Sequence, residues 1–321
     1  MRESKCCTYS MTLRGTQGQA MAEINGKRLS YLYEAVTMGT IRAAADKLNI
    51  APSAVSRQIS LLEEELASTL IERHRKGVTP TESGSILLQF YRESLSAEEA
   101  CVSKLQAVLG LQRGHIKLAV GDGFIGDLML GPLSEFSRLY PELTLSISTG
   151  GSNEVIRQVE EDEAHIGLVF HSSSHPRIRS QVVSCQPMYV IVSPDHPLAN
   201  RNTPMQLEEL LEYPVGLAEN RFGVRQLVAM AEFQQKIRFN PTLTTDSFTV
   251  LKNFARSNMG FTFLPYFVVS KEVEDGHLIA IPIDNTLLAS GEAHLVTRLG
   301  RHLSQGPHEL LHHLKLWMKD L

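Results

Sequence analysis

The sequence predicts an α/β fold that is preceded by a small helical domain and one long helix. Apolar residues repeat at helical spacing between residues 28 and 66, and again from about residue 81 to residue 111. From His115 onward, short apolar runs alternate with helical segments, as in a sheet built from strand-helix-strand units. A chain of 321 residues with 43% hydrophobic residues is long enough for two or three domains, each with its own core.

The first predicted helices are short and closely spaced. Leu29, Leu32 and Val36 give residues 28–37 one apolar face. Thr40 can then cap a second helix, because a threonine hydroxyl accepts a hydrogen bond from a free N–H group of the first turn. The apolar face of this second helix consists of Ile41, Ala44, Ala45 and Leu48. Its alanines allow a neighbouring helix to approach closely.

A third predicted helix begins at Pro52, whose fixed φ suits a first helical turn. Its apolar stripe consists of Val55, Ile59, Leu62 and Leu66. At about 100° per residue, the side chains that point away from this stripe are Ser53, Ser56, Arg57 and Ser60. Short hydroxyls around one arginine, with no long acidic side chain in the first two turns, favour a helix that enters a DNA groove.

Asn49 lies at the break between the second and third helices, where a helix-turn-helix motif usually has glycine. Asparagine is one of the few residues that tolerate a positive φ. The break is therefore predicted to be the turn of a helix-turn-helix motif. The alternative is an ordinary helical hairpin with a polar outer face, which the motif-like spacing of the apolar residues disfavours.

Basic residues follow in the segment TLIERHRKGVTPTESG, where two short extended pieces around Gly77 would form a wing. The formal net charge is −4, so DNA binding requires that the basic residues be segregated on one surface. Wing residues would contact phosphates or the minor groove, although a charge run is often only a solvated loop. The predicted DNA contacts are Arg42, Ala51, Pro52, Ser53, Ser56, Arg57, Gln58, Ser60, Arg73, Arg75 and Lys76.

The stretch GTIRAAADKLNIAPSAVSRQISLLEEELASTLIERHRKGVTPTESG resembles the N-terminal signature of the LysR-type transcriptional regulators. It departs from the usual pattern at Ile41, Ile71 and Pro80, which are packing positions. The resemblance implies a winged helix-turn-helix, a long linker helix and a two-lobed effector domain with the type 2 periplasmic-binding-protein fold. It further implies a sequence-specific regulator whose binding to double-stranded operator DNA responds to a small-molecule effector.

The linker helix is predicted over residues 81–112. Its start has two readings: a capping box with Pro80 in the first turn, or Thr81 as the cap. A heptad seam runs through Leu88, Tyr91, Leu95, Glu98, Val102, Leu105 and Leu109. The seam could pack on its own domain, but its narrowness favours pairing with a second chain. The resemblance implies a homo-oligomer, a dimer of dimers, and contact with RNA polymerase if the protein is an activator.

The remaining chain, residues 113–321, is predicted to form the effector-binding domain. One lobe would comprise residues 113–184 and 270–321, and the other residues 185–269. In the first lobe, the segments from HIKLAV to HIGLVF predict a βαβαβ unit with a parallel sheet, in which FIGDLMLGPLSEFSRLYP is the first helix. In the second lobe, PMQLEELLEY, residues 204–213, is predicted to be a helix. Asn258 stands for an expected glycine in SNMGFTFLP, as Asn49 does in the turn.

A ligand in such a fold would lie against strand ends and helix N-termini between the lobes. The predicted effector contacts are Asp122, Gly123, Phe124, Ser152, Asn153, Phe170, Asn220, Arg221, Phe222, Thr245 and Phe248. Taken singly, each polar residue among them fits the role of a helix cap better than that of a ligand contact, and it is their convergence at one cleft that indicates a site. Asp122 would prefer an amino or hydroxyl group, whereas Arg221 and the helix that begins at Ser152 would prefer an acid. An amino acid or a small acid is consistent with both.

The composition and the termini predict the setting of the protein. Residues 1–22 are polar and are interpreted as a disordered tail, with Met21 as a possible alternative start. Residues 23–80 would then form the DNA-binding domain. No apolar run reaches the roughly 18 residues that a membrane helix needs, so no membrane contact is expected. The four cysteines include no CxxC pair and no spacing typical of a disulfide framework, which favours the reducing cytoplasm. No cofactor or metal is predicted.

Two other functions are compatible with isolated motifs. His308, Glu309 and His312 form an HExxH pattern, which in zinc peptidases supplies two metal ligands and a base. It is disfavoured here because only nine residues follow His312 and no downstream glutamate can supply a third ligand. The second alternative is a thiol redox sensor that uses Cys101 or Cys185, although isolated cysteines are more often buried as small apolar residues.

Overall fold

The computed structural model describes residues 24–108, 114–171, 175–201 and 203–320. The chain divides into two compact units, with the boundary between Glu98 and Glu99. The predicted disordered tail over residues 1–22 lies outside the described residues. Within the described ranges, no helix combines the length and the apolar character that crossing a membrane requires.

The N-terminal unit contains the three predicted short helices and a two-stranded hairpin. Its elements are α1 (Gly26–Thr37), α2 (Ile41–Leu48), α3 (Pro52–Glu65), β1 (Ile71–His74) and β2 (Gly77–Pro80). The three helices pack around a core that includes Leu29, Leu32, Ala44, Ala45, Val55, Ile59 and Leu62. Each of these side chains is at most 1% exposed, so the predicted apolar stripes are confirmed. Thr40 caps α2 as predicted, because its Oγ1 accepts a hydrogen bond from Ala43 N at 3.0 Å.

The turn between α2 and α3 has the backbone that the sequence predicts. Asn49 adopts φ 54° and ψ 47°, in the left-handed region. The next residue, Ile50, donates its N–H to Ala45 O at 3.0 Å, which satisfies a carbonyl group at the end of α2. Helix α3 then begins at Pro52. The helix-turn-helix prediction is therefore confirmed in its local geometry.

The long helix, α4, spans Glu82–Val108. Thr81 is its cap, because Thr81 Oγ1 accepts from Gly84 N at 3.0 Å, whereas Pro80 ends strand β2. The predicted heptad seam is not continuous: Leu88 is only 3% exposed and belongs to the core of the N-terminal unit, and Tyr91 packs against that core. The exposed apolar members of the seam are Leu95, Val102 and Leu105. Leu109 and the predicted helix end at residue 112 lie outside the described residues.

The C-terminal unit alternates strands and helices throughout. Its first half comprises β3 (Gly114–Gly121), a 3₁₀ turn (Asp122–Phe124), α5 (Ile125–Leu130), α6 (Pro132–Leu139), β4 (Leu143–Gly150), α7 (Ser152–Glu160), β5 (Ile166–Phe170) and β6 (Ile178–Cys185). Its second half comprises β7 (Met188–Val192), a 3₁₀ turn (Glu208–Glu212), β8 (Val215–Ala218), α8 (Gly223–Gln235), β9 (Leu243–Thr245), α9 (Phe248–Arg256), β10 (Phe261–Pro265), α10 (Tyr266–Glu274), β11 (Ile279–Pro282), α11 (Thr286–Ala289), β12 (Glu292–Arg298) and α12 (Gln305–Asp320).

These strands form two five-stranded mixed sheets, one in each lobe. The first sheet has the order β4-β3-β5-β12-β6, and β3 runs parallel to both β4 and β5. The second has the order β11-β7-β10-β8-β9, in which β10 is antiparallel to β7 and parallel to β8. The predicted βαβαβ unit and the two-lobed architecture are confirmed.

Three details of the predicted C-terminal unit are wrong. Strand β11 pairs with β7 in the second sheet, so the chain is still in the second lobe at Pro282 and does not return to the first lobe at residue 270. The helix predicted over FIGDLMLGPLSEFSRLYP is two helices, α5 and α6, because Pro132 lacks an N–H group and disfavours helical geometry at Gly131. The helix predicted around residues 204–213 is a 3₁₀ turn.

Candidate functional site

The outward face of α3 is open to solvent. Three members of the predicted DNA contact set are partly exposed: Ser56, Gln58 and Ser60. The others are all exposed: Arg42, Ala51, Pro52, Ser53, Arg57, Arg73, Arg75 and Lys76. The opposite face of α3 is closed, since Val55 and Ile59 are 0% exposed. The structure thus places every residue of the set on the surface of one unit.

The wing hairpin is joined directly to α3. Arg73, in β1, donates from Nη1 to Ser56 Oγ in α3 at 2.9 Å. The tip of the same hairpin is the two-residue turn of Arg75 and Lys76. This arrangement places three basic side chains on the hairpin beside the polar face of the helix, which is the segregation of charge that a chain of net charge −4 needs for DNA binding.

Arg28 of α1 is a further part of this surface, and the sequence prediction missed it. Its Nε donates to Gln58 Oε1 at 3.2 Å, and its guanidinium forms an ion pair with Glu65. Because a guanidinium only donates, the oxygen of the Gln58 amide must face Arg28. The amide nitrogen is then left to donate elsewhere. The two partners are 30 positions apart, so local sequence spacing could not have revealed this contact.

A second candidate site is a narrow cavity between the two lobes of the C-terminal unit. Its lining residues are Gly121, Asp122, Gly123, Phe124, Gly150, Ser152, Phe170, Phe222, Gly223, Val224, Phe248, Pro265, Phe267 and Val268. Both lobes contribute, and five of the lining side chains are phenylalanines. The cavity has room for only about one or two water molecules, so the cleft is closed.

Several contacts hold the two lobes together at this cavity. Asp122 Oδ2 accepts a hydrogen bond from the backbone N–H of Phe248, the first residue of α9, at 3.2 Å. The rings of Phe124 and Phe267 stack with their centroids 4.6 Å apart. Gly223 lies so close to the opposite lobe that a Cβ atom there would be 1.9 Å from the carbonyl oxygen of Phe170. The lobes could separate only if these contacts were broken.

The cavity carries very little charge. Asp122 is the one ionisable side chain among the lining residues. The hydroxyl of Ser152 donates to the carbonyl oxygen of Phe170 at 2.7 Å and so already has an acceptor. The residues that line the cavity include no lysine, arginine or histidine.

Seven of the eleven predicted effector contacts line this cavity: Asp122, Gly123, Phe124, Ser152, Phe170, Phe222 and Phe248. The other four, Asn153, Asn220, Arg221 and Thr245, do not. Arg221 has its own partners instead, with Nε 3.0 Å from Glu219 and Nη2 2.8 Å from Asp246. The lining residues that the prediction missed include Gly223, Val224, Pro265, Phe267 and Val268, which belong to the second lobe.

Two histidines lie next to the cavity-forming end of β5. His171 follows Phe170, and burial lowers its pKa, an effect that nearby His294 increases. Burial also lowers the pKa of His294, although Glu292, 3.2 Å from His294 Nε2, opposes this shift. Both imidazoles are therefore held in the neutral form more strongly than an exposed histidine would be.

The HExxH pattern lies on α12, where it has the surroundings of a docked terminal helix. Leu310 and Leu314 are 0% exposed, whereas His308 and His312 are exposed. Across the part of the chain that the structure describes, no three or more His, Cys, Asp and Glu side chains are grouped to hold a metal ion. Cys101 and Cys185 are both free and exposed, which differs from the buried setting expected for isolated cysteines.

Comparisons with known proteins agree with both parts of the fold. Residues 27–85 match the family described as "Bacterial regulatory helix-turn-helix protein, lysR family", and residues 109–319 match "LysR substrate binding domain". The HTH-type transcriptional regulator CysL of Bacillus subtilis (strain 168) is 27% identical over 243 residues, which cover 75% of this chain and 81% of CysL.

Two solved structures share the fold. A single-site variant of full-length OxyR from Pseudomonas aeruginosa superposes with a TM-score of 0.65 at 16% identity, and the match covers 92% of this chain and 95% of the OxyR chain. The effector binding domain of QuiR in complex with shikimate superposes with a TM-score of 0.56 at 14% identity, and the match covers 65% of this chain and 98% of that domain.

A winged helix-turn-helix joined to a two-lobed α/β domain defines a DNA-binding transcriptional regulator with an effector-binding domain. The chain belongs to the LysR family of these regulators. The resemblance that the N-terminal motif predicts is therefore confirmed over almost the whole chain.

Proposed function

We propose that this LysR-family regulator binds its operator through the outward face of α3 and the wing. In this assignment Arg57 reads a base edge in the major groove and the serines around it supply short donors and acceptors. Arg42, Arg75 and Lys76 contact phosphates, which positions the helix without selecting a sequence. Three other residues of the predicted set approach the groove walls: Ala51, Pro52 and Gln58.

The observation that carries this proposal is the hydrogen bond between Arg73 and Ser56. It joins the wing to the helix face, so the polar face and the basic hairpin form one continuous surface. An ordinary helical hairpin with a solvated outer face has no need of such a contact. The test is selection of bound sequences from random duplex DNA, followed by titration of the selected operator. A failure to enrich any sequence would contradict the proposal.

The effector is proposed to bind in the cavity between the lobes. Support comes from the convergence of seven predicted contacts there and from the ligand-bound QuiR domain of the same fold. Thermal-shift screening of the full chain against small metabolites is the direct test, because a ligand at 100 times its Kd stabilises the folded state by about 2.7 kcal/mol. A true effector must also lose its effect when cavity residues are changed.

We infer further that the protein works as a homo-oligomer, a dimer of dimers, and acts by binding rather than by catalysis. The exposed seam residues Leu95, Val102 and Leu105 support pairing of the linker helices. A regulator of transcription acts where the DNA is, in the cytoplasm, and an activator would also contact RNA polymerase. Sedimentation velocity tests the assembly. Metal analysis of the purified chain tests the zinc peptidase alternative, because stoichiometric zinc would support that alternative.

A further inference from the structure

The charge of the inter-lobe cavity restricts the chemistry of its ligand. Asp122 is the one ionisable side chain in the lining, and its carboxylate lies at the point where both lobes meet. Five phenylalanine rings and several glycines make up most of the remaining wall. A ligand in this cavity therefore meets one fixed negative charge inside a largely apolar enclosure.

An anionic ligand has no cationic side chain to pair with among these lining residues. Arg221, which the sequence offered as the partner for an acid, is absent from the lining and is held by Glu219 and Asp246. The N-terminus of α9 could also bind an acid, but the Asp122 carboxylate already accepts its first N–H. The first residues of α7 and α8, Ser152 and Gly223, line the cavity as well, and their helix ends carry only partial positive charge. An acid bound in this narrow cavity would lie beside the Asp122 carboxylate, and a partly enclosed pair of like charges is unfavourable.

We propose that the effector of this protein is a small cation, a protonated amine with an apolar or aromatic body. This inference rests on the proposal that the cavity is the effector site, and it specifies which ligands that site accepts. Phe248 N donates to Asp122 Oδ2, so the ammonium group can pair with the second carboxylate oxygen, Oδ1. The apolar body packs against the phenylalanines.

The phenylalanines favour a cation for a second, independent reason. An aromatic ring carries negative electrostatic potential on its face and attracts a nearby cation, most strongly where water is excluded. Phe124 and Phe248 are 1% and 7% exposed, so the rings that line the cavity are shielded from solvent. Phe222 already contacts one cation in this way, since the Arg221 guanidinium lies 5.1 Å from the centre of its ring.

Entry of such a ligand requires that the lobes separate, because the closed cavity holds only about one or two waters. The contacts that must change are the Asp122 bond to Phe248 and the stack of Phe124 on Phe267. Both are contacts that a cationic, aromatic ligand can replace in kind: the ammonium donates to Asp122 and the ring stacks on phenylalanine. The ligand thus substitutes for the contacts that it displaces.

Three probes of matched size and opposite or zero charge test the inference. Phenethylammonium, 3-phenylpropionate and 2-phenylethanol are titrated against the full chain by calorimetry and thermal shift. Phenethylammonium is expected to bind at least roughly tenfold more tightly than the other two.

Asp122→Asn is expected to remove most of that preference. The amide oxygen of the asparagine can still accept from Phe248 N, so the contact between the lobes is preserved. Asp275→Asn, an exposed carboxylate at the end of α10 and outside the lining, is the control and leaves all three affinities unchanged.

The outcomes separate this inference from the proposed site. If 3-phenylpropionate binds more tightly than phenethylammonium, and Asp122→Asn strengthens its binding further, the charge preference is overturned but the cavity remains the effector site. Binding of phenethylammonium that is unaffected by Asp122→Asn would overturn the assignment of Asp122. If none of the three probes binds the wild type, both the charge preference and the aromatic pocket are contradicted.

Discussion

Arg57 is the residue whose removal should most affect sequence recognition. It is exposed on the outward face of α3, and its neighbours there are short hydroxyl side chains that cannot replace it. We expect Arg57→Ala to weaken binding to the selected operator by about 1 to 3 kcal/mol and to relax specificity at one base pair. Fluorescence anisotropy with operators changed at single base pairs measures both effects. Binding that matches the wild type on every operator would exclude Arg57 from base recognition.

Lys76→Ala provides the contrasting result at the wing. The side chain lies in the exposed turn of the hairpin, where it is proposed to contact a phosphate. Its loss should weaken binding to all sequences alike and reduce the slope of affinity against salt concentration by about 1. The same titrations, repeated at several salt concentrations, test this. A change confined to one base pair would indicate a base contact instead.

His171 and His294 should make folding stability depend on pH. Burial lowers the pKa of both imidazoles in the folded chain, so the unfolded chain binds more protons than the folded one below about pH 6.5. Their contribution to the free energy of unfolding is therefore complete above that pH and is lost as the pH falls further. Calorimetric Tm values should fall from pH 7.5 to pH 5.5.

The variants for this pH test replace the two histidines whose pKa burial lowers. His171→Gln and His294→Gln should each reduce the pH dependence of Tm, because each removes one group whose pKa burial lowers. His308→Gln serves as the control, since His308 is exposed on α12. An unchanged pH slope in both cavity-side variants would show that other groups dominate.

At the level of single elements, the sequence predicted best where one residue decides the geometry. Asn49 and Asn258, expected to replace glycines, both have φ 54°. The apolar stripe of α3 could be predicted because four apolar residues repeat with the period of the helix. The break between α5 and α6 was missed, although Pro132 signals it, because the apolar pattern continues across it.

The features that the sequence did not reveal depend on contacts that no local pattern records. Strand β11 belongs to the second sheet because it pairs with β7, roughly 90 residues earlier in the chain, and no local pattern records that pairing. Arg221 follows a strand end, the expected place for a ligand contact, but it forms ion pairs with Glu219 and Asp246 and does not line the cavity. Phe267 lines the cavity from the first turn of α10, where the sequence resembles any buried helix face.

The linker helix carries a prediction at the scale of the element. Leu95 and Val102 are 41% and 47% exposed and lie two turns apart on one side of α4, so a second chain can bury both. Leu95→Asp combined with Val102→Asp should abolish dimer formation, because pairing would bury four uncompensated carboxylates. Sedimentation velocity measures the assembly, and operator binding should weaken with it.

A matched control for this pair lies one position away on the same helix. Ser94→Asp combined with Cys101→Asp adds the same charge at the same spacing to exposed positions that do not belong to the seam. This control should remain oligomeric. Equal dissociation of both double variants would attribute the effect to total charge, and an intact dimer in the first would contradict the seam.

For the whole molecule, the central question is how a ligand in one unit affects DNA binding by the other. All residues that line the cavity lie between positions 121 and 268, whereas all residues of the proposed DNA-binding surface lie between positions 28 and 76. No residue belongs to both sites. A ligand can therefore act only by favouring one arrangement of the lobes or of the assembled subunits over another.

Phe248 tests this coupling, because it is the point where the lobes meet. Its N–H bonds to Asp122 and its ring packs beside Phe222, with centroids 5.5 Å apart. Phe248→Leu keeps an apolar side chain but removes the ring, and should reduce the effector response, which in coupled systems is typically about 1 to 3 kcal/mol. Effector-free operator affinity should be nearly unchanged. The comparison is a footprint of wild type and variant, with and without an effector found by thermal-shift screening.

The control is Phe233→Leu, which changes an 87% exposed phenylalanine of α8 outside the cavity lining and should keep the full response. Loss of effector-free DNA binding in Phe248→Leu, or a complete effector-dependent footprint change, would show that the cavity does not control the DNA-binding surface.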